Sequence, residues 1–461
     1  NEYLKAPGHV VDQLVSEIID AEDHKRRSRT SAEQDKLRAA VSMIISNAAY
    51  ASTMSNGCKV RIRLQNNYYS DTPQYRNAAL TYRNVKAVFE ELIRLNYLNL
   101  DRKGGYDKET KRGKTTRYSA NKQLLDLFKE NELKGLLYSS YDPDAQTIIK
   151  REKVGQSKTN KPYNDTDETI KWRNNLRAIN RCLSNHWFDL YISDNEFGKL
   201  TERLITDTDK ESFNPSQRTL RRVFTEDSFD RGGRFYSGWW QNIPNEYRKH
   251  IHIDEKPTVE YDFSQLNPTI MYARAGIVCE GEAYDIGMPD IPRSIVKEAF
   301  NAMVQAKTKL VQKPRDIDLS NVQQSWSELK QIIIDRHEPI ADQFFCGTGN
   351  ELQFLDSQVA EQVMLKFSGL NVPCLPIHDS FIVHHGYHDM LEVEMRNAFR
   401  HVFKVDVDIK AEPRSVKPDG DGKPISPGIN AILDGEAGYS QYTHRLNSWY
   451  EWKDRNASLS N

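Results

Sequence analysis

The sequence predicts a multidomain protein of the α+β class, and three observations lead to that prediction. Its 461 residues correspond to roughly two to four domains of about 100–200 residues each. Apolar residues recur at helical spacing in 2–47 and 81–95. Short apolar runs at strand spacing, bounded by turn residues, follow at 97–118, 258–263 and 375–383.

The composition is that of a folded protein with a polar surface. Hydrophobic residues make up 38% and charged residues 28% of the chain, which excludes wholesale disorder. The net charge of -1 is unevenly distributed. Residues 81–161 contain 18 lysines and arginines against 11 acidic residues, so this segment carries +7 and the remainder -8.

The sequence lacks the patterns of membrane, secreted and zinc-binding proteins. No segment approaches the roughly 18 consecutive apolar residues of a membrane span, and the first residues do not have the layout of a signal peptide. We therefore expect a cytoplasmic protein. The five cysteines are scattered and none forms a C-x-x-C pair, which argues against a disulfide framework and a zinc site.

The first half contains helices followed by a hairpin. The helical pattern is clearest in 81–95, where one apolar stripe is formed by Val85, Val88, Phe89 and Leu92. A strand is predicted at 97–100, Gly104 and Gly105 open a loop, and a return strand is predicted at 115–118.

A helix followed by a hairpin with a basic tip resembles a winged helix-turn-helix domain. The basic residues that would contact phosphates of a duplex are Lys111, Arg112, Lys114 and Arg117. The alternative is a solvated loop, since runs of charge often serve only solubility.

Two aspartates stand where buried strands end. Asp262 closes the run Thr258–Phe263, and a helix starting with Ser264-Gln265-Leu266 follows it. Asp379 lies between two short apolar runs and is expected at the tip of a β-hairpin. Carboxylates brought together from separate strands repel one another unless divalent cations neutralise them, which is the arrangement that two-metal phosphoryl transfer requires. The alternative for either aspartate is a turn or capping residue.

A helix between these aspartates carries polar residues on one face. Arg293, Lys297 and Asn301 are spaced at i, i+4 and i+8 in the helix that begins near Pro292. Two cations on one face suit a triphosphate, whose charge must be neutralised during attack. An exposed solubilising stripe is the alternative.

Five short motifs, in this order, resemble the palm and fingers motifs of the family-A DNA polymerases and, more loosely, of the single-subunit phage-type RNA polymerases. They are Gly233-Arg234-Phe235, Gln241-Asn242-Ile243-Pro244, Asp262-Phe263-Ser264-Gln265, Arg293-x3-Lys297 and His378-Asp379. The resemblance implies a right-hand polymerase: a palm with an antiparallel sheet, helical fingers and a thumb. It implies template-directed transfer of nucleotides to a 3'-hydroxyl, with nucleic acid and nucleoside triphosphates as partners.

The resemblance also assigns roles to individual residues. Asp262, Asp379 and the main-chain carbonyl of Phe263 would hold two Mg²⁺ ions, for which Mn²⁺ can substitute. The residues expected at the incoming nucleotide are Arg293, Lys297, Asn301, Gln265 and Asn267. Those expected along the primer–template are Arg234, Gln241, Asn242 and His378.

Departures from the family pattern leave the product open. Asn267 stands where the DNA enzymes place a glutamate that blocks a ribose 2'-hydroxyl, and Ser380 replaces an acid. We favour DNA synthesis, with an RNA polymerase or primase-like enzyme as the alternative. Two further alternatives are a non-catalytic winged-helix initiator, whose palm would be degenerate, and a metal nuclease that uses the same two aspartates. Primer requirement, oligomeric state and biological setting are left open, with a mobile element and a phage as the candidate settings.

These motifs divide the chain into five segments. They are a winged-helix-like nucleic-acid-binding domain at 1–140, a linker at 141–167, a helical thumb-like segment at 168–230, a palm and fingers core at 231–412, and a C-terminal extension at 413–461. The linker prediction rests on a polar composition with few apolar anchors. Aromatic residues near the end of the extension indicate that it docks onto the rest of the protein.

Overall fold

A computed structural model describes most of the chain as a mixed α and β protein with several sheets, which confirms the predicted class at that level. The described residues are 4–21, 29–53, 59–69, 73–107, 112–136, 138, 145–155, 157–206, 213–411 and 438–459. No helix among these residues has both the length and the apolarity to traverse a lipid bilayer.

The helices and strands are numbered here in chain order. The helices α1–α15 are Gly8–Ala21, Ser31–Thr53, Asn66–Tyr69, Tyr82–Arg94, Lys122–Leu125, Glu130–Gly135, Asp167–Asn185, Asp194–Thr206, Asn245–Arg248, Leu266–Arg274, Arg293–Gln305, Trp326–Arg336, Gly349–Gly369, His388–Phe403 and Ser440–Leu459. The strands β1–β15 are Val60–Ile62, Leu98–Arg102, Gly105–Asp107, Arg112–Lys114, Thr116–Ala120, Ile148–Val154, Ser157–Asn160, Phe188–Leu190, Arg221–Phe224, Gly232–Tyr236, Ile251–Ile253, Lys256–Phe263, Leu375–Ile377, Ser380–His384 and Ile409–Ala411.

The N-terminal part packs helices on a three-stranded antiparallel sheet of order β1-β5-β2. Helix α4 begins after Thr81, whose side chain accepts a hydrogen bond from the Asn84 amide and caps the helix. The apolar stripe predicted for this helix is buried. Beneath it, the ring of Phe89 packs edge-on against Tyr118, 5.2 Å between centroids. The hairpin β3–β4 extends from β2 and β5.

The segment predicted as a linker contains two strands. β6 and β7 form an antiparallel hairpin within 141–167, and β6 pairs in parallel with β9, giving a sheet of order β10-β9-β6-β7. Ile148 and Ile149 anchor this hairpin in the core, with 0% and 4% of their surface exposed. The polar composition belongs to an edge hairpin, where charged side chains protect unpaired backbone groups. Composition alone therefore does not reveal these two strands.

The segment predicted as helical, 168–230, contains α7 and α8 but also β8 and β9. Two of its arginines are buried rather than exposed to a ligand. Arg222 in β9 is 0% exposed, and Arg218 is 3% exposed and lies over the rings of Phe188 and Trp449. Their basic character therefore serves packing within the protein.

The largest sheet lies in the second half and has the order β13-β14-β12-β11-β8, with β15 on the other side of β12. Helix α14 covers one face of it: the Phe263 ring lies 5.6 Å from Phe399 of α14 and 6.3 Å from Phe381 of β14. Because side chains alternate along a strand, the even-numbered residues of β12 project from the opposite face.

The last helix, α15, docks onto the centre of the chain. Arg445 forms a buried ion pair with Asp189 of β8, 2.6 Å from Nε to Oδ2, and Trp449 is 1% exposed. Lys134 of α6 bonds to Glu451 of α15, 3.3 Å away. The predicted docking involves this helix, whereas 412–437 lie outside the described residues.

Candidate active site

Backbone pairing brings the two aspartates to the same end of neighbouring strands. Asp262 of β12 pairs in register with Ser380 of β14, the residue that follows Asp379. The amide of Phe263 donates to the carbonyl of Asp379, 3.4 Å away. Asp379 is half-buried in the two-residue turn between β13 and β14. The sheet therefore places both carboxylate-bearing residues beside one another.

His378 is the other residue of that turn. Its φ of 56° lies in the left-handed region, which histidine adopts more readily than most residues. The side chain is exposed and its ring lies 5.8 Å from that of Tyr236. Desolvation lowers the pKa of His378, and the nearby Arg234 lowers it further. The imidazole is therefore biased toward its neutral form at the rim of the site.

A third carboxylate, Glu260, lies on the same strand and was not predicted. It precedes Asp262 by two residues, so both project from the same face of β12. Glu260 is 5% exposed and accepts a hydrogen bond from the Ser380 hydroxyl, 2.7 Å away. The period-two alternation of a strand, counted back from Asp262, is the sequence signal that would have found it.

A lysine lies on the other side of Asp262. Lys410 of β15 pairs in register with Asp262, so its exposed side chain leaves from the same face of the sheet. No local sequence pattern predicts this neighbour, because β15 follows β12 by more than 140 residues in the chain. A cation at this position offsets part of the negative charge of the face.

Arg234 is engaged within the protein. Its Nε donates to Oδ2 of Asp356 in α13, 2.7 Å away, and Asp356 is 2% exposed. Burial raises the pKa of Asp356 to about 7; Arg234 opposes this rise and Asp379 adds to it. Burial lowers the pKa of Arg234, but Asp356 and then Asp379 outweigh it and raise the value overall. Arg234 therefore shares its charge between α13 and the Asp379 turn.

Gly233 makes this approach of β10 to α13 possible. A Cβ at its position would lie 2.9 Å from the Ser357 hydroxyl and 3.3 Å from the Phe354 ring, and its φ is +75°. Only glycine meets both conditions without strain. The Gly-Arg pair of the sequence motif thus fixes the position of Arg234.

The Gln-Asn motif supports the turn from below. The side-chain amide of Gln241 donates to the carbonyls of Phe235 and Pro376, 3.0 and 2.9 Å away. Trp240, which is 0% exposed, donates to the same Pro376 carbonyl. Asn242 is exposed. Gln241 therefore holds the strand that leads into the turn, and Asn242 alone of the pair faces solvent.

Helix α11 has exposed cations at two of the three positions predicted to share one face, Arg293 and Lys297. Arg293 donates to Glu282, 3.1 Å away, and lies 5.0 Å from the ring of Tyr284. Lys297 is exposed one turn later, and no ion pair of this lysine occurs among the described residues. Desolvation raises the pKa of Tyr284; Arg293 opposes this rise and Asp379 adds to it. Tyr284 thus lies within electrostatic reach of both the helix and the aspartate turn.

Helices α10 and α11 are joined by the two predicted asparagines. The Asn267 side-chain amide donates to Oδ1 of Asn301, 2.9 Å away. Gln265, with a left-handed φ of 53°, forms the turn between β12 and α10. Its side chain bonds to the backbone of Gly281 and Ala283. Gln265 is therefore committed to holding the loop before α11.

The predicted wing residues have different surroundings. Lys111 lies outside the described residues, and only the backbone of Arg112 is described, in β4. Lys114 is exposed at the end of β4. Arg117 lies in β5, in register with Arg61 on one side and Arg102 on the other. The structure thus separates Arg117, inside the sheet, from Lys114, on the hairpin.

The donor chemistry of the aspartate pair suits a hard cation. Carboxylate and carbonyl oxygens are the ligands that Mg²⁺ prefers, and Mg²⁺ is usually held by one or two carboxylates with waters and substrate phosphates. No cluster of three or more metal-ligating side chains occurs in the described part of the chain. Two carboxylates with a main-chain carbonyl fit the sparse protein ligation of Mg²⁺.

Comparisons with known proteins find a distant similarity among solved structures. No family model matches the chain, and no curated protein matches it. Among solved structures, the chain is similar to the POL domain of Pol1 from M. smegmatis in complex with DNA primer-template and dNTP. The identity is 13% and the TM-score 0.29, with 88% of this chain covered. The chain spans 66% of the length of that structure.

Proposed function

We propose that this protein is a template-directed nucleic-acid polymerase that transfers nucleotides to a 3'-hydroxyl and favours DNA synthesis. The observation that carries the proposal is the adjacency of Asp262, at the end of β12, and Asp379, in the turn that leads into β14. Two neighbouring carboxylates at a half-buried position repel one another unless cations join them. A cation pair there would activate the attacking hydroxyl and stabilise the leaving pyrophosphate.

The protein's own residues supply the surrounding charges. Asp262, Asp379 and the Phe263 carbonyl would hold the ions, with the buried Glu260 steadying Ser380 beside them. Arg293 and Lys297 would neutralise the triphosphate from α11. His378, at the rim, would contact the primer end, and Asn242 the template. In this assignment Gln241, Gln265 and Arg234 position neighbouring backbone and side chains.

We further propose that the β12–β14 sheet is the palm, that α11 belongs to the fingers, and that residues 1–140 form a winged-helix-like domain. Support for the last assignment comes from the order β1-β5-β2 and from α4 leading directly into the hairpin. The 168–230 segment would act as the thumb through its helices.

RNA synthesis is the second candidate, and Asn267 is the observation that favours it. This position holds an asparagine, whose side-chain amide donates to Asn301, where the DNA enzymes have a glutamate. The carboxylate that would exclude a ribose 2'-hydroxyl is therefore missing at this position. Extension of primed and unprimed strands with all four nucleotides, as ribose and deoxyribose forms, tests both candidates. Absence of incorporation with either sugar under Mg²⁺ or Mn²⁺ would leave a non-catalytic initiator, and shortened strands would indicate a nuclease.

Asn267→Glu should reduce the use of ribonucleotides about tenfold more than that of deoxyribonucleotides, because a longer, charged side chain would crowd a 2'-hydroxyl. The measurement is kcat/KM for matched nucleotide pairs. Asn267→Gln is the control, since it adds length without charge. Equal losses for both sugars would show that this position does not select the sugar.

Lys297→Ala should lower kcat/KM for the nucleotide about a hundredfold, because one phosphate-neutralising charge is lost. The affinity for primer–template should not change. Lys309→Ala removes an exposed lysine beyond the end of α11 and serves as the control. A defect confined to template binding would contradict the assignment of α11 to the fingers.

Glu260→Gln should raise the Mg²⁺ concentration needed for half-maximal activity about tenfold, because groups that orient metal ligands typically contribute this much to metal affinity. Ser380→Ala should act in the same direction by releasing Glu260. The control is Glu392→Gln on α14, on the opposite face of the sheet. An unchanged Mg²⁺ requirement in Glu260→Gln would show that this carboxylate serves only packing.

A further inference from the structure

A groove with a volume of about 1150 Å³ lies in the N-terminal part, between α4, the hairpin β3–β4, residues 62–68 and Arg76. We call it the N-terminal groove. It exceeds the roughly 300–1,000 Å³ of typical small-molecule pockets, which indicates an extended ligand. Its charged lining residues in the described part of the chain are Arg63, Arg76, Lys86, Lys103, Lys114 and Glu90.

The charge of the N-terminal groove is strongly one-sided. Five of the six charged lining residues are basic, and the single acid, Glu90, lies 3.8 Å from Lys86. Cations that converge on one concavity repel one another, so a polyanion that enters it gains favourable contacts with several at once. Displacement of the counterions of such a polyanion adds to its affinity.

Aromatic and apolar groups are interleaved with these cations. The Arg76 guanidinium lies 3.8 Å from the ring centre of Tyr68, and Arg63 lies 5.0 Å from it. Tyr82, partly exposed, also lines the groove, and Leu100 is 46% exposed there. Rings and apolar surface bind the flat faces of bases, which are accessible only when a strand is unpaired.

The exposed face of α4 that lies outside the groove has fewer basic residues than the groove, so it is less suited to contact a duplex. Its exposed residues outside the groove are Arg83, Ala87 and Arg94. Arg94 is bonded to Glu91, 3.0 Å away, which cancels its charge locally. A helix that enters the major groove relies on this outward face. The cations are therefore concentrated beside the helix rather than along it.

The wall of the groove has a fixed position. Gly104, where β2 passes into β3, donates its amide to the Thr116 hydroxyl, 3.0 Å away. A Cβ at this position would lie 2.7 Å from that hydroxyl and 2.8 Å from the Thr116 amide nitrogen. This close contact sets the angle of the hairpin that carries Lys103 and Lys114 on its sides. The groove is thus a built feature of the fold.

We propose that the N-terminal groove binds an unpaired strand of nucleic acid, with its cations on the phosphates and Tyr82 against a base. This site goes beyond the proposed polymerase activity, since it is remote in sequence from the aspartates and needs neither of them. It would retain the strand on which the chain acts.

The test uses the full chain with Asp262→Asn, so that no synthesis occurs. A fluorescein-labelled single strand of about 16 nucleotides, the upper site size for one compact binding module, is titrated at several salt concentrations. Arg63→Ala with Lys103→Ala should weaken binding at least tenfold and reduce the slope of log affinity against log salt by about 0.7 per cation. Tyr82→Ala should weaken binding about tenfold and leave the slope unchanged. Arg83→Ala, on the outward face, is the matched control and should have no effect.

Photocrosslinking separates this groove from the candidate active site. A single strand substituted with 5-iododeoxyuridine should form adducts on peptides from 59–117, and Tyr82→Ala should reduce them. Adducts confined to 231–411 would overturn the proposal. The proposal would also be overturned if an unlabelled duplex of the same length competed as well as an unlabelled single strand and Arg83→Ala lost affinity, because duplex binding by the outward face of α4 would then explain both results. If the unsubstituted protein binds a single strand at the groove but incorporates no nucleotide, the proposed polymerase function is refuted and the proposed groove site is retained.

Discussion

Asp262→Asn and Asp379→Asn should each reduce nucleotide incorporation more than about a thousandfold. In the proposed metal site, each change would replace an anionic oxygen ligand by a neutral amide of the same shape, at the point where β12 lies beside the β13–β14 turn. The energy at stake is the stabilisation of the attacking and leaving oxygens, several kcal/mol in two-metal sites. Single-turnover incorporation and primer–template affinity should be measured on the same preparations, and the affinity should stay within about twofold.

The matched control for these variants is Asp389→Asn. Asp389 lies at the start of α14, its side chain is 90% exposed, and it has no place in the proposed site. Full activity in this variant would show that an Asp→Asn change alone does no harm. Retained incorporation in either Asp262→Asn or Asp379→Asn would remove the metal assignment, because neither residue can be dispensable in a shared cation site.

Arg222→Met should lower the free energy of unfolding by about 3–5 kcal/mol, the range for breaking a buried ion pair. The guanidinium is 0% exposed, and each of its three nitrogens donates at 2.9 Å: to the Gly233 carbonyl, the Ser357 hydroxyl and Glu361. Desolvation lowers the pKa of Arg222, and Glu361 opposes that shift. Removing the cation leaves Glu361 buried without its counter-charge. Urea denaturation followed by tryptophan fluorescence measures the loss.

A double variant decides between the lost charge partner and lost packing. Arg222→Met with Glu361→Met removes both charges and should recover much of the stability, because apolar pairs replace buried ion pairs well. Arg203→Met breaks an exposed pair with Glu246 and should leave the denaturation midpoint unchanged. If the double variant were no more stable than Arg222→Met, the loss would come from the contacts of the guanidinium with the rings of Trp172, Phe224 and Phe235 rather than from its charge.

The sequence predicted those parts of the site that depend on local pattern. The positions of Asp262 and Asp379 at strand ends are predicted because each ends or joins an apolar run, and α4 is predicted from a single amphipathic stripe. The hairpin that carries Asp379 needs only two adjacent strands and a short turn. These features are encoded within about ten residues and can be read without knowledge of the remaining fold.

Features that arise from distant pairings were missed. Lys410 meets Asp262 only because β15 joins the far side of β12, and Arg222 is buried only because α13 closes over β9. A run of basic residues at 218–222 has the same composition whether it faces solvent or the core. The two strands within 141–167 are not evident from the sequence, because the polarity of an edge hairpin resembles that of a linker.

The ion pair between Asp189 and Arg445 has a consequence for how the protein is made. Asp189 emerges from the ribosome some 250 residues before its partner Arg445, whose helix also carries the buried Trp449. A nascent chain must therefore hold this acid in water until residues 440–459 have been synthesised, since an unpaired carboxylate is costly to bury. Completion of the central core thus waits until this helix has been synthesised. Products of interrupted translation would expose that unfinished centre to proteases.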